Sequence, residues 1–263
     1  MMVNVVLYSA ISLLACFNVA KFLIIEGRGR IMLITVFYIL SLLLFICKID
    51  FCFGRFRKQL EMDYKGSVVQ SGYVAGTYIS IIIGIFQITQ MAELILQTNF
   101  SAQQITREKL KKRTKLVYCS TFFLAAVYLV LLGMDIPVEI NFYNCYITGE
   151  ESNLPDWIFI FFSVLVIGSY IALSIGLTVS VVILLKTVNK YFKEILEAEA
   201  KKIKMIYIVF TVTYVTRTIT YLIPWHSQSH VFFNDVVNYS MFAVWDILPL
   251  GLIMRYHFIC FTE

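Results

Sequence analysis

A chain of 263 residues, 59% hydrophobic and 15% charged with a mean hydropathy of +0.78, has too few polar side chains to clothe a soluble domain of this size. The composition predicts a polytopic membrane protein. The formal net charge of +5 gives no reason to invoke nucleic acid, because basic residues in such proteins set orientation.

No low-complexity tract, flexible linker or repeat divides the chain, so residues 1–263 read as a single domain. Crossing a hydrocarbon core of about 30 Å takes about 20 residues. Apolar runs of that order occur at Val3–Ile25, Ile31–Phe53, Val68–Gln97, Leu116–Met134, Trp157–Leu185, Met205–Trp225 and Val236–Met254. The fold class expected is an all-α membrane protein, a seven-transmembrane helical bundle. The first run follows Met1 without a basic leader or a small-residue cleavage site and is read as a retained span. The third and fifth runs exceed the needed length and are expected to tilt or to continue as ordinary helix. Pro137 and Pro155 are expected to bracket the connection after the fourth span, and Pro224 to close the sixth.

Lys and Arg orient the spans. With the N-terminus outside or lumenal, the inner loops hold Arg28 and Arg30, then Arg107, Lys109, Lys111, Lys112, Arg113 and Lys115, then Lys186, Lys190, Lys193, Lys201, Lys202 and Lys204, with Arg255 on a cytosolic tail. The outer connections after spans four and six hold none, and only the loop with Arg55, Arg57, Lys58 and Lys65 dissents. Lys21 and Lys48 are within reach of an interface and read as snorkelling side chains; Asp50 is similarly shallow. Gly72, Ala75, Gly76, Ser80 and Gly84 in span three, and Gly168, Ala172, Ser174 and Gly176 in span five, predict close backbone approach. Thr187–Lys204 is rich in helix formers and is expected to carry spans five and six into the cytosol.

Two charges stand out inside the last two runs. Asp246 and Arg217 each lie about 12–14 Å below the outer end of their runs, so on antiparallel neighbours they are level. A carboxylate at membrane depth costs a few kcal/mol or more and normally has a partner, which makes Arg217–Asp246 the expected polar centre of the bundle. Pro249 just beyond Asp246 predicts a kink. The pair can serve to fix helix register, to switch, or to line a transport route.

A search for catalytic chemistry finds little. His226, His230 and His257 all fall outside the spans, and neither a metal-ligand set, a phosphate loop nor a Ser-His-Asp order is present. The last span lacks the Lys that a retinal Schiff base needs. No enzymatic activity, metal or cofactor is expected. Cys52 and Cys145 are the two cysteines on the outer side, which leaves a disulfide between them open if that side is oxidising.

Three short elements carry a resemblance. Trp245-Asp246-Ile247-Leu248-Pro249, with Arg255 at the inner end, Tyr214-Val215-Thr216-Arg217, and Gln90-Met91-Ala92-Glu93 before a basic loop together resemble the tobamovirus multiplication protein family of seven-transmembrane, GPCR-like proteins. That family more often has Glu where Asp246 stands. The resemblance implies a receptor-like protein of a vacuolar, lysosomal or similar endomembrane, or of the plasma membrane. It also implies a cytosolic partner such as a small GTPase or its regulator, and no catalysis. The face expected to meet that partner carries Glu93, Arg107, Lys109, Lys111, Lys112, Arg113, Lys190, Lys193, Lys201 and Lys202. Besides signalling or scaffolding, the reading keeps two alternatives: small-solute or proton transport past Asp246, and a structural subunit of a membrane assembly. Lipid is the one partner composition itself requires, and an oligomer is compatible with all three.

Overall fold

The structure, a computed structural model, describes residues 2–25, 31–59, 66–148, 154–192, 205, 208–219 and 243–260, and among them every regular element is helical. The helices are α1 (Met2–Ile25), α2 (Ile31–Gln59), α3 (Gly66–Ser101), α4 (Arg107–Thr148), α5 (Asp156–Tyr191), α6 (Ile208–Ile219) and α7 (Leu248–Cys260), the last preceded by a π-helical turn over Ala243–Ile247. Segments within α3, α4 and α5 are long and apolar enough to cross a membrane. Shorter apolar stretches lie at Val6–Phe17, Ile208–Ile219 and Val244–Met254.

α3 is the axis. It packs against α2, α4 and α5, and 56% of its apolar window is buried against 11% for α4. Glycines explain how neighbours approach it so closely. A methyl added at Gly84 would stand 2.7 Å from the Tyr214 hydroxyl and 2.8 Å from Leu173 Cδ1; at Gly76 it would stand 3.0 Å from the Lys48 stem, and at Gly72 3.2 Å from the Cys47 carbonyl. Gly176 admits Ile88. Gly168, expected to do the same, faces outward with nothing within 4 Å, because the α5 stripe that is buried runs through Val166, Ser169 and Tyr170 instead.

Three apolar clusters surround this axis. Tyr8, Phe37, Phe45, Trp245 and Met254 join α1, α2 and α7; Tyr78, Tyr170, Leu173, Phe210 and Tyr214 join α3, α5 and α6; Ile82, Phe86 and Ala125 join α3 and α4. On the outside of α4 and α5, Phe123, Val130, Trp157 and Val164 are exposed, as expected of helices whose solvent is lipid.

Two boundaries differ from the sequence reading. α4 begins at Arg107, so the basic run is its first turns, and the connection from α3 shrinks to residues 102–106. Local geometry accounts for this. The Gln103 N–H bonds the Phe100 carbonyl at 2.9 Å and the Gln104 N–H the Asn99 carbonyl at 2.9 Å, a closing pattern with Gln103 at φ 57, and the Thr106 hydroxyl then receives the Lys109 N–H at 3.4 Å. At its other end α4 runs through Pro137 to Thr148, whereas Pro137 was expected to end it. The ring lies on an exposed face while Asp135 and Val138 beside it are buried, so packing on the inner side holds the helix where the missing N–H would break it. Pro155 does sit at a helix start, with ψ 136, and the Ile158 N–H reaches its carbonyl at 3.0 Å. Residues 193–204 and 220–242 lie outside the described residues, and with them Lys193, Lys201, Lys202, Pro224, His226 and His230.

The contrast between glycines is testable. Gly84→Ala should cost about 1–3 kcal/mol, because Tyr214 stacks on Tyr170 at 5.9 Å and cannot yield freely. Gly168→Ala should be neutral or stabilising. Thermal unfolding of the two variants in the same detergent measures the difference, and equal stability of both would refute the close packing at Gly84.

Candidate functional site

The last helix enters the bundle through its π turn. Pro249 has no N–H to give residue 245 and its ring crowds that carbonyl, so the turn ahead of it cannot close as ordinary α-helix. The widened turn over Ala243–Ile247 lets two consecutive side chains, Trp245 and Asp246, both face inward, 4% and 1% exposed.

Around Asp246 five other helices contribute. Arg217 Nη2 of α6 donates to Asp246 Oδ1. The Tyr8 hydroxyl of α1 donates to Oδ2 at 3.1 Å, and Lys48 Nζ of α2 stands 4.0 Å from the same oxygen. Arg217 Nη1 donates to Ser80 Oγ of α3 and to the Tyr170 hydroxyl of α5 at 3.2 Å, while Trp245 Nε1 donates to Thr216 Oγ1 at 2.8 Å. Both cations also rest on aromatic faces: the guanidinium carbon lies 5.4 Å from the Tyr170 ring centroid and 5.6 Å from that of Trp245, and Lys48 Nζ 5.3 Å from that of Tyr73.

The expected pair is thus present, and it is the centre of a larger junction. Lys48 is a correction: it is 3% exposed and turned inward, because Gly76 on α3 leaves room for its stem. Tyr8, Ser80 and Tyr170 were not singled out as site residues, since a hydroxyl in an apolar run leaves no mark on periodicity. The junction encloses a cavity of about 20 Å³, the size of one water, lined by Arg217, Asp246, Thr213 and Gln87 among others. Gln87 is buried, and both ends of its amide lack a hydrogen-bond partner.

A second polar arrangement lies about 20 Å along α3, at the opposite end of the α3–α4 pair from Pro137. Glu93 accepts from the Tyr118 hydroxyl of α4 at 2.8 Å and from Gln97 Nε2 at 3.0 Å. Between them the Thr89 and Thr121 hydroxyls bond across the same helices. Glu93 opens onto a groove of about 740 Å³ lined also by Gln97, Lys111, Lys115, Cys119 and Phe122. Of the predicted cationic face, Lys111 joins this groove together with Lys115, whereas Arg107, Lys109, Lys112 and Arg113 are exposed without lining it. Lys190 is far along α5, its ammonium 4.9 Å from the Tyr191 ring centroid. Cys145 carries a free thiol; the Cys52 and Arg255 side chains lie outside the described residues, and with Cys52 the expected disulfide.

No protein-family model, curated protein or solved structure matches the chain. The site is therefore read from its own chemistry. Among the described residues no three His, Cys, Asp or Glu side chains converge to hold a metal. The junction offers instead one carboxylate shared by two cations and a tyrosine, an arrangement that fixes helix positions.

Removing either member of the close pair leaves a buried charge, so Asp246→Asn and Arg217→Gln should each cost about 3–5 kcal/mol, and the double variant much less than their sum. Lys48 refines the test. In the native background Lys48→Met should cost less than Arg217→Gln, because Asp246 keeps Arg217 and Tyr8; in the Asp246→Asn background it should cost less than in the native one, because its ion pair with Asp246 is already gone. Thermal unfolding in detergent reads all these variants, and additive losses would show that the three residues act separately.

Proposed function

We propose that the chain is a seven-span, receptor-like membrane protein, N-terminus outside or lumenal, in which the Asp246 junction latches α7 and the groove beside Glu93 receives a cytosolic partner. The observation that carries this reading is the position of Asp246 in a π turn immediately before Pro249, bonded to α1 and α6 and, through Arg217, to α3 and α5. A π turn of this kind is frequent at functional sites, and its rearrangement is the two-state element that this reading requires of a switch. α3 links the two ends rigidly, with Ser80 at the junction and Glu93 at the groove. The resemblance to the tobamovirus multiplication protein family supports the same role in an endomembrane, with a small GTPase or its regulator as partner and no catalysis. Transport is the second reading, favoured by the one-water cavity beside the acid and by the second cation, Lys48.

A single-cysteine form retaining Cys119, an exposed groove residue, separates them. Asp246→Asn should change the labelling rate of Cys119 by several-fold and should produce no difference in ion flux across liposomes. Unchanged labelling together with flux abolished by the substitution would replace the switch with a transporter.

Orientation has its own test. The acceptor sequence Asn99-Phe100-Ser101 falls on the proposed cytosolic side, and Asn99 Nδ2 donates to the Ile95 carbonyl at 3.0 Å within the last turn of α3. Asn99 should remain unglycosylated in eukaryotic cells. A glycosidase-sensitive gel shift that disappears in Asn99→Gln would invert the topology.

A further inference from the structure

We infer that a cavity separate from the Asp246 junction, between the starts of α3 and α5 and the far part of α4, is a binding site for a small monovalent cation held by Asp135. The cavity measures about 50 Å³, room for a small ion with a water or two but not for a drug-sized ligand. Asp135, Glu139, Tyr78 and Ser163 give it oxygen atoms, and Tyr73 and Phe162 give it aromatic walls.

Two unpaired polar atoms point to an occupant. Asp135 is 4% exposed, and its Oδ1 is sealed from solvent without a hydrogen-bond partner. The Tyr78 hydroxyl, on a residue 0% exposed, faces the Asp135 carboxyl but likewise has no partner at full hydrogen-bond geometry. Neighbouring hydroxyls are already committed: Tyr128 and Ser169 bond each other at 2.6 Å, and Thr77 donates to the Tyr73 carbonyl at 3.1 Å. Among the described residues the two cations of the bundle core, Lys48 and Arg217, both pair with Asp246. A buried carboxylate in this position needs a positive charge, and the protein core supplies it elsewhere.

The chemistry of the donors sets the class. Glu139 stands one turn beyond Asp135 on the same face of α4, so two carboxyl groups line one small space, and a cation between them relieves their repulsion. Hydroxyl and carboxylate oxygens suit a hard ion. Zinc and copper favour nitrogen or sulfur ligands that the cavity lacks, and calcium and magnesium or manganese would need six or more oxygens around one ion. Sodium and a primary ammonium share the required chemistry, the first through oxygen coordination and the second through hydrogen bonds and the aromatic walls.

The test is thermal unfolding of the full chain in nanodiscs, in chloride salts of sodium, potassium or methylammonium, with N-methylglucamine as a bulky reference at constant ionic strength. The native protein should gain several degrees in at least one small cation, saturably, and the salt that works identifies the source. Asp135→Asn should abolish the gain and Glu139→Gln should reduce it, while Glu108→Gln, in the exposed first turn of α4, should keep it in full. In the reference salt Asp135→Asn should unfold at a higher temperature than the native chain, because it removes an uncompensated charge. Equilibrium binding of radiolabelled sodium, displaced by methylammonium, provides a readout independent of folding. The proposal is overturned if no small cation stabilises the native chain, if the gain survives in Asp135→Asn, or if Asp135→Asn is no more stable in the reference salt, which would mark Asp135 as a neutral acid.

Discussion

A carboxylate taken out of water must be surrounded by donors, and most of this bundle's inner architecture follows from meeting that demand at Asp246. The residue itself can reach the interior together with Trp245 only because the turn before Pro249 is widened. Its two oxygens then draw in α1 through Tyr8, α2 through Lys48 and α6 through Arg217. The guanidinium has donors to spare, and these fasten α3 and α5 through Ser80 and Tyr170. Buried ion pairs add little net stability against an apolar replacement, so the energetic consequence is chiefly one of arrangement: any slip of a helix along its axis leaves a charge unpaired.

α3 converts this local constraint into a global one. Lipid tails are as apolar as leucine, so helices in a bilayer are held by close packing and polar contacts, and α3 supplies both along its length. Its glycines admit the Lys48 stem, Leu173 and Tyr214, and its hydroxyls and acids bond α5 at one level and α4 at two others. A rotation of α3 about its axis would therefore disturb the Asp246 junction and the Glu93 groove together.

The charged centre was legible in the sequence because charges are conspicuous in apolar runs and depth can be counted in residues. Arg217 and Asp246 met both conditions. Lys48 met only the first: its distance to an interface allowed snorkelling, and what decides against it is an empty space opposite, at Gly76, which no reading of α2 alone contains. Asp135 lay one residue past the apolar run that was counted as a span, and α4 proves to continue through Pro137, which propensity assigned to a helix end. The tyrosines are a different case. Their rings belong to the apolar pattern and their hydroxyls do not appear in it, so only the geometry of partners reveals Tyr8 and Tyr170 as polar residues.

α4 occupies an unusual position in this scheme. It is the least buried of the three long apolar helices, and its contacts with α5 are few, so its place is set almost wholly by α3. Apolar packing there consists of the small cluster around Ile82, Phe86 and Ala125, with Tyr128, Leu131, Leu132 and Ile136 reaching the cluster that α3 shares with α5 and α6. Polar attachments add to this at separate levels: Glu93 with Tyr118, Thr89 with Thr121, Tyr128 with Ser169 of α5, and the cavity shared by Tyr78 and Asp135. Two of these levels, at Glu93 and at Asp135, carry an acid and so respond to charge. A charged ligand or partner near either end of α4 therefore acts on its seating against α3, while the Asp246 junction ties α7 to α1, α2 and α6.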